Sequence, residues 1–531
     1  MAFFPQAVIR PLRSFKRDEE GSLVIFSLFM FICMIMIAGI AVDVMRYENV
    51  RVKTQNTIDR AVLAAADLDQ TVDPKVVVDD YFAKAGMDIL DYEVDVTETK
   101  VGDTLTSRKV TANSTVDMGT MFMHMMGVES LSANSISSAE ESINNIEISL
   151  ILDVSGSMGR NNKLTNMQDA AKDFIDEIFE NTEPDRVSIS LIPYSTQVNA
   201  GAELLQQFNA TDEHTYSHCA EFVDDDFNST AMSTTDELQR AGHFDPWGWY
   251  NRGREPSYRV CRTDDAFEIT PWSNDVIALK NQIEDFYASG NTSIDVAVKW
   301  GSALLDPSLQ PVLTAMAGDE VPNAFIGRPS AHNDEDTLKF MVVMTDGINT
   351  TQYYLKNGYR DGPSPVFIDI DDGDVSMGVD TDDDGTFDTY WWATDDDDRR
   401  TFQDAPDGGS DDDAIRMSWP EVWNAMSLSW HAYYNHYAQT WDADDYYDNF
   451  YAPRGGVSAS KKDQRLSTVC SAARTNGMVI FAIGFEVTDY SAGVMRNCAS
   501  SDNHFYRVEG LEIGYAFKSI ANQINQLKLT Q

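Results

Sequence analysis

The hydrophobic pattern changes character along the chain. Residues 23–42 are twenty consecutive positions without a charge, LVIFSLFMFICMIMIAGIAV. At about 1.5 Å per residue, a helix of that length spans about 30 Å, the thickness of a bilayer core. Helical spacing continues beyond it through Val44, Tyr47, Thr54, Ile58, Ala61 and Ala65. A short helix is predicted from Pro74, in PKVVVDDYFAKAGM, and residues 92–140 alternate as strands do.

A different rhythm starts near residue 145. EISLILD (147–153), RVSISLIPYS (186–195), LKFMVVMTD (338–346) and MVIFAIGFEV (478–487) read as buried strands. Between them, Leu164, Met167, Ala171, Phe174 and Ile178 recur at helical spacing, and residues 273–289 and 293–305 read as helices. A last helix carries Ile513, Phe517, Ile520, Ile524 and Leu527 on one face. Apolar strands alternating with helices predict an α/β domain with a mostly parallel sheet covered on both sides. Two long polar stretches, about 200–272 and 350–462, interrupt it. Loops that long inside a compact domain are usually functional insertions. The predicted organisation is a cytoplasmic N-terminus (1–22), a transmembrane helix (23–42), a helical stem with a small α+β module (43–143), and an α/β domain with the two insertions (144–531).

Charge decides where these parts lie. Arg10, Arg13, Lys16 and Arg17 precede the apolar run and place the N-terminus in the cytoplasm, with the bulk of the chain periplasmic or at the cell surface. The alternative is a cleaved signal peptide, with Gly39-Ile40-Ala41 as the site and a mature N-terminus near Val42. The apolar run is longer than the usual ~7–15 residue signal core, which favours an uncleaved anchor. The net charge of −45 argues against a nucleic-acid binder, whose affinity would come from basic patches. Five cysteines and no C-x-x-C pair argue against a zinc ribbon or a thioredoxin-type site. In an oxidising compartment two disulfides are expected, Cys219 with Cys261 and Cys470 with Cys498, leaving Cys33 free.

The candidate chemistry starts at Asp153-Val-Ser155-Gly-Ser157, where a buried strand runs into a glycine-rich turn. Ligands of open α/β sheets sit at the carboxyl ends of strands. Thr292, in Gly290-Asn-Thr-Ser, lies just before a helix, and Asp346, in MTDG, ends the next apolar strand. These are five hard oxygen donors, which suit Mg²⁺, Mn²⁺ or Ca²⁺ rather than zinc or copper. Few carboxylates beside neutral hydroxyls leave such an ion able to accept a carboxylate from a partner. The plainer role for Ser155 is to cap a helix. Asp153 itself is expected in a loop at the sheet edge, where its loss would remove no core packing.

This constellation resembles the metal-ion-dependent adhesion site of von Willebrand factor A domains, whose D-x-S-x-S, threonine and T-D-G loops all have counterparts here. The segment EEGSLVIFSLFMFICMIMIAGIAVDVMRYENVRVKTQNTIDRAVLAAA resembles the anchor of TadE/TadG-type pilus-assembly proteins. LIPYSTQVNAG, CSAARTNGMVIFAIGFEV and MRNCASSDNHFYRV are similar to TadG-like proteins, whereas residues 350–462 have no counterpart. The resemblance implies a Rossmann-like A domain and a non-enzymatic, inner-membrane-anchored protein of Tad/Flp pilus assembly or surface adhesion. Its partner would be a pilus-assembly or envelope protein presenting a carboxylate. Counting from Gly21, the fifth position is Phe26 rather than glutamate, so pilin-like processing is not expected. A secreted adhesin is the second reading.

Other signals are weaker. Asp380, Asp382, Asp384, Thr386 and Asp388 match the first positions of a calcium loop, with Gly385 at the sharp turn. Position twelve is Trp391 instead of the bidentate glutamate, so a calcium half-loop is the most this segment offers. The competing reading is a solvated acidic loop, because residues 361–413 hold 19 aspartates and two basic residues. His214-x3-His218-Cys219 has zinc-ligand spacing, but a disulfide at Cys219 is the simpler expectation. Ser155-Gly-Ser157-Met-Gly159 nearly matches a hydrolase nucleophile elbow, and metal ligation is the more economical role for Ser157.

Overall fold

The computed structural model describes residues 20–529 apart from 69, 88–90, 102–103, 143–144, 181, 248–252, 335, 394–399, 408 and 410–412. The basic residues Arg10, Arg13, Lys16 and Arg17 lie outside the described residues. The chain divides into two compact units, one ending at residue 143 and the other starting at 144.

In the first unit, helix α1 (Glu20–Ala66) is continuous through the apolar run and the stem, and is long and apolar enough to cross a membrane. Helix α2 (Pro74–Lys84) begins where Asp73 accepts the Lys75 backbone N–H, with Pro74 in the first turn. Strands β1 (Asp91–Val101), β2 (Thr104–Gly119) and β3 (Ser130–Ser142) form an antiparallel sheet in that order. Ile58, Ala61, Val62 and Ala65 of α1 pack with Val78 and Phe82 of α2 and with Val110 and Ala112 of β2. Of the periodic positions read from the sequence, Thr54, Ile58, Ala61 and Ala65 are buried, whereas Val44 is exposed and Tyr47 half-buried.

In the second unit the chain runs β4 (Asn145–Asp153), α3 (Lys163–Phe179), β5 (Val187–Tyr194), β6 (Thr270–Ser273), α4 (Val276–Glu284), α5 (Ile294–Ala303) and β7 (Thr337–Thr345). The second insertion follows with β8 (Gln352–Leu355), β9 (Pro363–Asp369), β10 (Val375–Val379), β11 (Thr389–Trp392), β12 (Thr401–Gln403), β13 (Ala414–Ser418) and β14 (Arg454–Val457). The chain closes with α6 (Ala459–Thr475), β15 (Val479–Phe485), α7 (Asp489–Cys498), β16 (Phe505–Val508) and α8 (Glu512–Leu529).

The main sheet has the order β16-β15-β7-β4-β5-β6 and is parallel except for β6. Side chains alternate between its faces. Ile146, Ile148, Leu150 and Leu152 pack with α3, α4 and α8, through residues such as Phe174, Ile283 and Phe517. Ile151 faces the opposite side, with Trp300 of α5, Val469 of α6 and Met495 of α7. Both faces are therefore apolar and covered, as near-continuous hydrophobic strands require.

The second insertion is not the loop its polarity implied. Strands β8 and β14 pair at its base, and β12-β11-β10-β9-β13 form a separate antiparallel sheet. Trp391, Trp423, Trp430 and Phe450 pack there with Phe244 and Val260 from the first insertion, so both insertions share one aromatic core. The two expected disulfide pairs are joined, with Cα separations of 5.9 Å for Cys219–Cys261 and 5.1 Å for Cys470–Cys498, and Cys33 is free.

Candidate metal centre

Three connections meet at the carboxyl ends of the central strands. Asp153 is the last residue of β4, in the middle of the sheet and fully buried, not in a loop at its edge. The strand must end here because the chain turns at once to bring Ser155 back: Asp153 Oδ1 accepts the Ser155 backbone N–H at 2.8 Å. Gly156 donates its N–H to the Gly290 carbonyl at 3.0 Å, which docks the threonine loop on this turn. A Cβ on Gly156 would lie 3.3 Å from that oxygen, so the close approach favours glycine.

The hydroxyls and carboxylates form one chain of contacts. Ser155 makes no capping bond, and its Oγ lies 3.1 Å from Ser157 Oγ. Ser157 Oγ donates to Asp346 Oδ1 at 2.6 Å. Asp153 Oδ2 accepts from the Thr345 hydroxyl at 2.7 Å, and the Tyr194 hydroxyl lies 3.5 Å away. Thr292 is nearly buried, and its backbone N–H donates to Thr350 Oγ1 at 3.0 Å. Its Oγ1 lies 4.0 Å, and Ser157 Oγ 3.7 Å, from where a Gly347 Cβ would sit, so both hydroxyls border the turn after β7. Burial, and then the neighbouring Asp346 charge, push the Asp153 carboxyl up to about 6. Burial likewise raises the Tyr194 phenol well above its usual range.

Two lysines complete the centre, and the motif reading missed both. Lys163 Nζ lies 2.9 Å from Asp346 Oδ2 and 3.7 Å from Glu486. Lys462 Nζ is fully buried and donates to the Thr292 and Thr350 carbonyls and to Ser293 Oγ at 2.9, 3.0 and 2.6 Å. Burial pushes its ammonium down to about 8. Each lysine stands in the first turn of a helix, where a cation opposes the helix dipole. Lys461 shares that first turn and pairs with Asp224 instead, so the position alone does not single them out.

All five sequence-predicted donors thus border one spot, at which Asp153, Ser155, Thr292 and Asp346 are buried and Ser157 is partly exposed. The donor set is oxygen throughout, with two carboxylates and three hydroxyls, which fits a hard divalent cation. In the acidic insertion, carboxylate oxygens of Asp380, Asp382 and Asp384 lie within 4.8 Å of one another. Asp388 is instead turned onto the Thr381 backbone N–H at 2.7 Å, and Thr386 Oγ1 donates to Asp384 at 2.6 Å. His214 Nε2 lies 3.0 Å from the Ala241 carbonyl, and Cys219 is in a disulfide, so the zinc-like spacing gathers no zinc site.

Residues 21–68 match the model of a family described as putative Flp pilus-assembly TadE/G-like. No curated protein matches the chain. Among solved structures, the chain is similar to the vWF domain of the type V pili tip protein Mfa5 from Porphyromonas gingivalis, at 13% identity and a TM-score of 0.32. That alignment covers 74% of this chain and 98% of the other. It is also similar to the adhesive tip pilin GBS104 from Group B Streptococcus agalactiae, at 14% identity and a TM-score of 0.33, over 72% of this chain and 100% of that one. The pilus adhesin SpaC from Lactobacillus rhamnosus GG aligns at 13% identity and a TM-score of 0.31, over 82% of this chain and 34% of its own. The strand order and loop geometry described above stand without these distant likenesses.

Proposed function

We propose that the chain is a non-enzymatic, single-pass inner-membrane protein of Tad/Flp pilus assembly or surface adhesion. Its second unit would be a Rossmann-like von Willebrand factor A domain that binds a protein partner through a divalent ion. The observation that carries this reading is the meeting of Asp153, Ser155, Ser157, Thr292 and Asp346 at the carboxyl ends of parallel strands. Ser155, Ser157 and Thr292 would hold Mg²⁺ or Mn²⁺, with Asp153 and Asp346 binding directly or through water, because Mg²⁺ sheds water reluctantly. These residues would hold and orient the ion, which would supply the positive charge that attracts a partner carboxylate. The match of residues 21–68 to the Flp family supports the pilus context.

Mn²⁺ titration followed by electron paramagnetic resonance tests the site on detergent-solubilised chain. One site should disappear in Asp153→Asn and in Ser155→Ala and survive Asp382→Asn with Asp384→Asn. Unchanged binding in the first two variants would sink the reading. Cross-linking to envelope proteins should then be lost in EDTA and restored by Mg²⁺. The gathered carboxylates of Asp380, Asp382 and Asp384 support a second, calcium site in the insertion. Millimolar Ca²⁺, but not Mg²⁺, should then protect residues 361–400 from proteolysis; equal protection by both would indicate charge screening. A mature N-terminus at Val42 instead of Met1 would favour the secreted adhesin, and labelling of Ser157 by a fluorophosphonate would favour a hydrolase.

A further inference from the structure

The turn between β2 and β3 is anchored to α1 where the uncharged run ends. Asp43 of α1 is fully buried, and its carboxylate accepts the backbone N–H groups of Met121, Phe122 and Met123 at 3.0, 2.7 and 2.8 Å. The N–H groups of Phe122 and Met123 are donors that the short helical turn Met123–Met126 would otherwise leave unpaired. One turn earlier, a Cβ on Gly39 would lie 2.5 Å from the Phe122 ring, so the missing side chain lets the turn sit against the helix. The turn is therefore held at the level of residues 39–43.

Its outer side is apolar. Met121, Met125 and Met126 are 65%, 72% and 57% exposed, and Phe122 is 37% exposed. Four large apolar groups clustered on one turn are unfavourable in water and mark a contact surface. The side chains of α1 leading up to the same level, such as Leu28, Ile35 and Ile37, are exposed too. Arg46, 3.6 Å from Asp43, and the exposed His124 stand at this level, as basic groups do at a headgroup layer.

We propose that Met121, Phe122, Met125 and Met126 enter the headgroup–acyl boundary of the bilayer leaflet in which the apolar part of α1 ends. The proposal rests on the reading that α1 spans the membrane. Lipid is the occupant because the patch continues the apolar surface of the helix. Methionine suits a fluid and irregular environment through its flexible side chain. The turn would thereby fix the height of the three-stranded sheet above the bilayer, a second attachment besides the helix itself.

The test uses the full chain with Cys33→Ser, both disulfides intact, in phosphatidylethanolamine–phosphatidylglycerol nanodiscs. Spin labels are placed singly through Leu28→Cys, Met125→Cys and Ile136→Cys, all at exposed positions. Ile136 is the control: its carbonyl accepts from Gln55, twelve residues and about 18 Å along α1 from Asp43. Labels at 28 and 125 should be more accessible to oxygen than to an aqueous nickel complex, and the label at 136 the reverse. A water-exposed label at 28 would refute the anchor and this contact with it. A lipid-exposed label at 28 with a water-exposed one at 125 would overturn the contact and leave the anchor standing. Lipid exposure at 136 would also overturn it, because the sheet as a whole would then be embedded.

Discussion

At the scale of single residues, the candidate centre is two buried carboxylates whose repulsion is relieved by hydroxyls and one ammonium. Asp153 has its folded-state carboxyl raised to about 6, above its ordinary value, by burial and by Asp346. A raised acid contributes stability that is present below about pH 4 and lost as pH rises through 6. In EDTA, the melting temperature should therefore fall between pH 4 and 6, and Asp153→Asn should flatten that fall. At pH 7 the metal-free Asn variant should resist urea better than the parent. An Asn variant that is less stable at pH 7 in EDTA would show that the carboxylate's bonds to Ser155 and Thr345 outweigh its burial. Lys163 gives the second test. Its ammonium lies on Asp346 and competes with any ion for that carboxylate, while Glu486 stands ready to take it over. Lys163→Met should raise Mn²⁺ affinity several-fold in a titration; weaker binding would instead assign Lys163 the task of positioning Asp346.

At the scale of elements, helix α5 lies directly on the strand that delivers Asp153. A Cβ on Gly301 would come within 2.4 Å of Ile151 Cδ1 and 3.5 Å of Ser149 Cβ, and Ser149 Oγ donates to the Gly301 carbonyl at 2.6 Å. Gly301→Val should overpack this contact and cost about 1–3 kcal/mol in urea unfolding. The Cys470–Cys498 bridge ties α6 to the end of α7 across 28 residues, and replacing both cysteines by alanine should cost about 3–4 kcal/mol. The four long strands of the main sheet were legible because burial on both faces makes them unbroken apolar runs. Strand β6 was not, since Thr270, Pro271 and Ser273 carry no such signal and the strand is an antiparallel edge. The insertion sheet was missed for another reason. Its strands hold Ser, Thr and aromatic residues between aspartate-rich turns, and its core is aromatic rings such as Trp419 and Trp423, stacked at 5.1 Å, rather than aliphatic periodicity. The five candidate ligands were readable because each sits at the end of a readable element. Lys163 and Lys462 were not, because their meaning depends on what lies across the fold.

For the molecule as a whole, the apolar surface and the candidate chemistry fall in different units. Exposed large apolar side chains run continuously along the first part of α1, from Leu23 to Ile37, while in the second unit they are scattered. Asp153, Ser155, Ser157, Thr292 and Asp346, with Lys163, Lys462 and Glu486, all belong to the second unit. That unit also carries both disulfides and two apolar cores on either face of one sheet. Its surface holds much of the chain's excess of acid, which favours solubility. A fragment of residues 144–529, secreted to an oxidising compartment, should therefore fold without detergent and unfold in one cooperative step for the main sheet. Its Mn²⁺ affinity should match that of the full chain in nanodiscs within about twofold, a difference of less than about 0.5 kcal/mol. The comparison is made by circular dichroism, gel filtration and ion titration on the same two preparations. A fragment that aggregates would show that the first unit shields a surface of the second. A folded fragment that has lost the ion would show that the site depends on residues before 144, which the contacts among its own loops give no reason to expect.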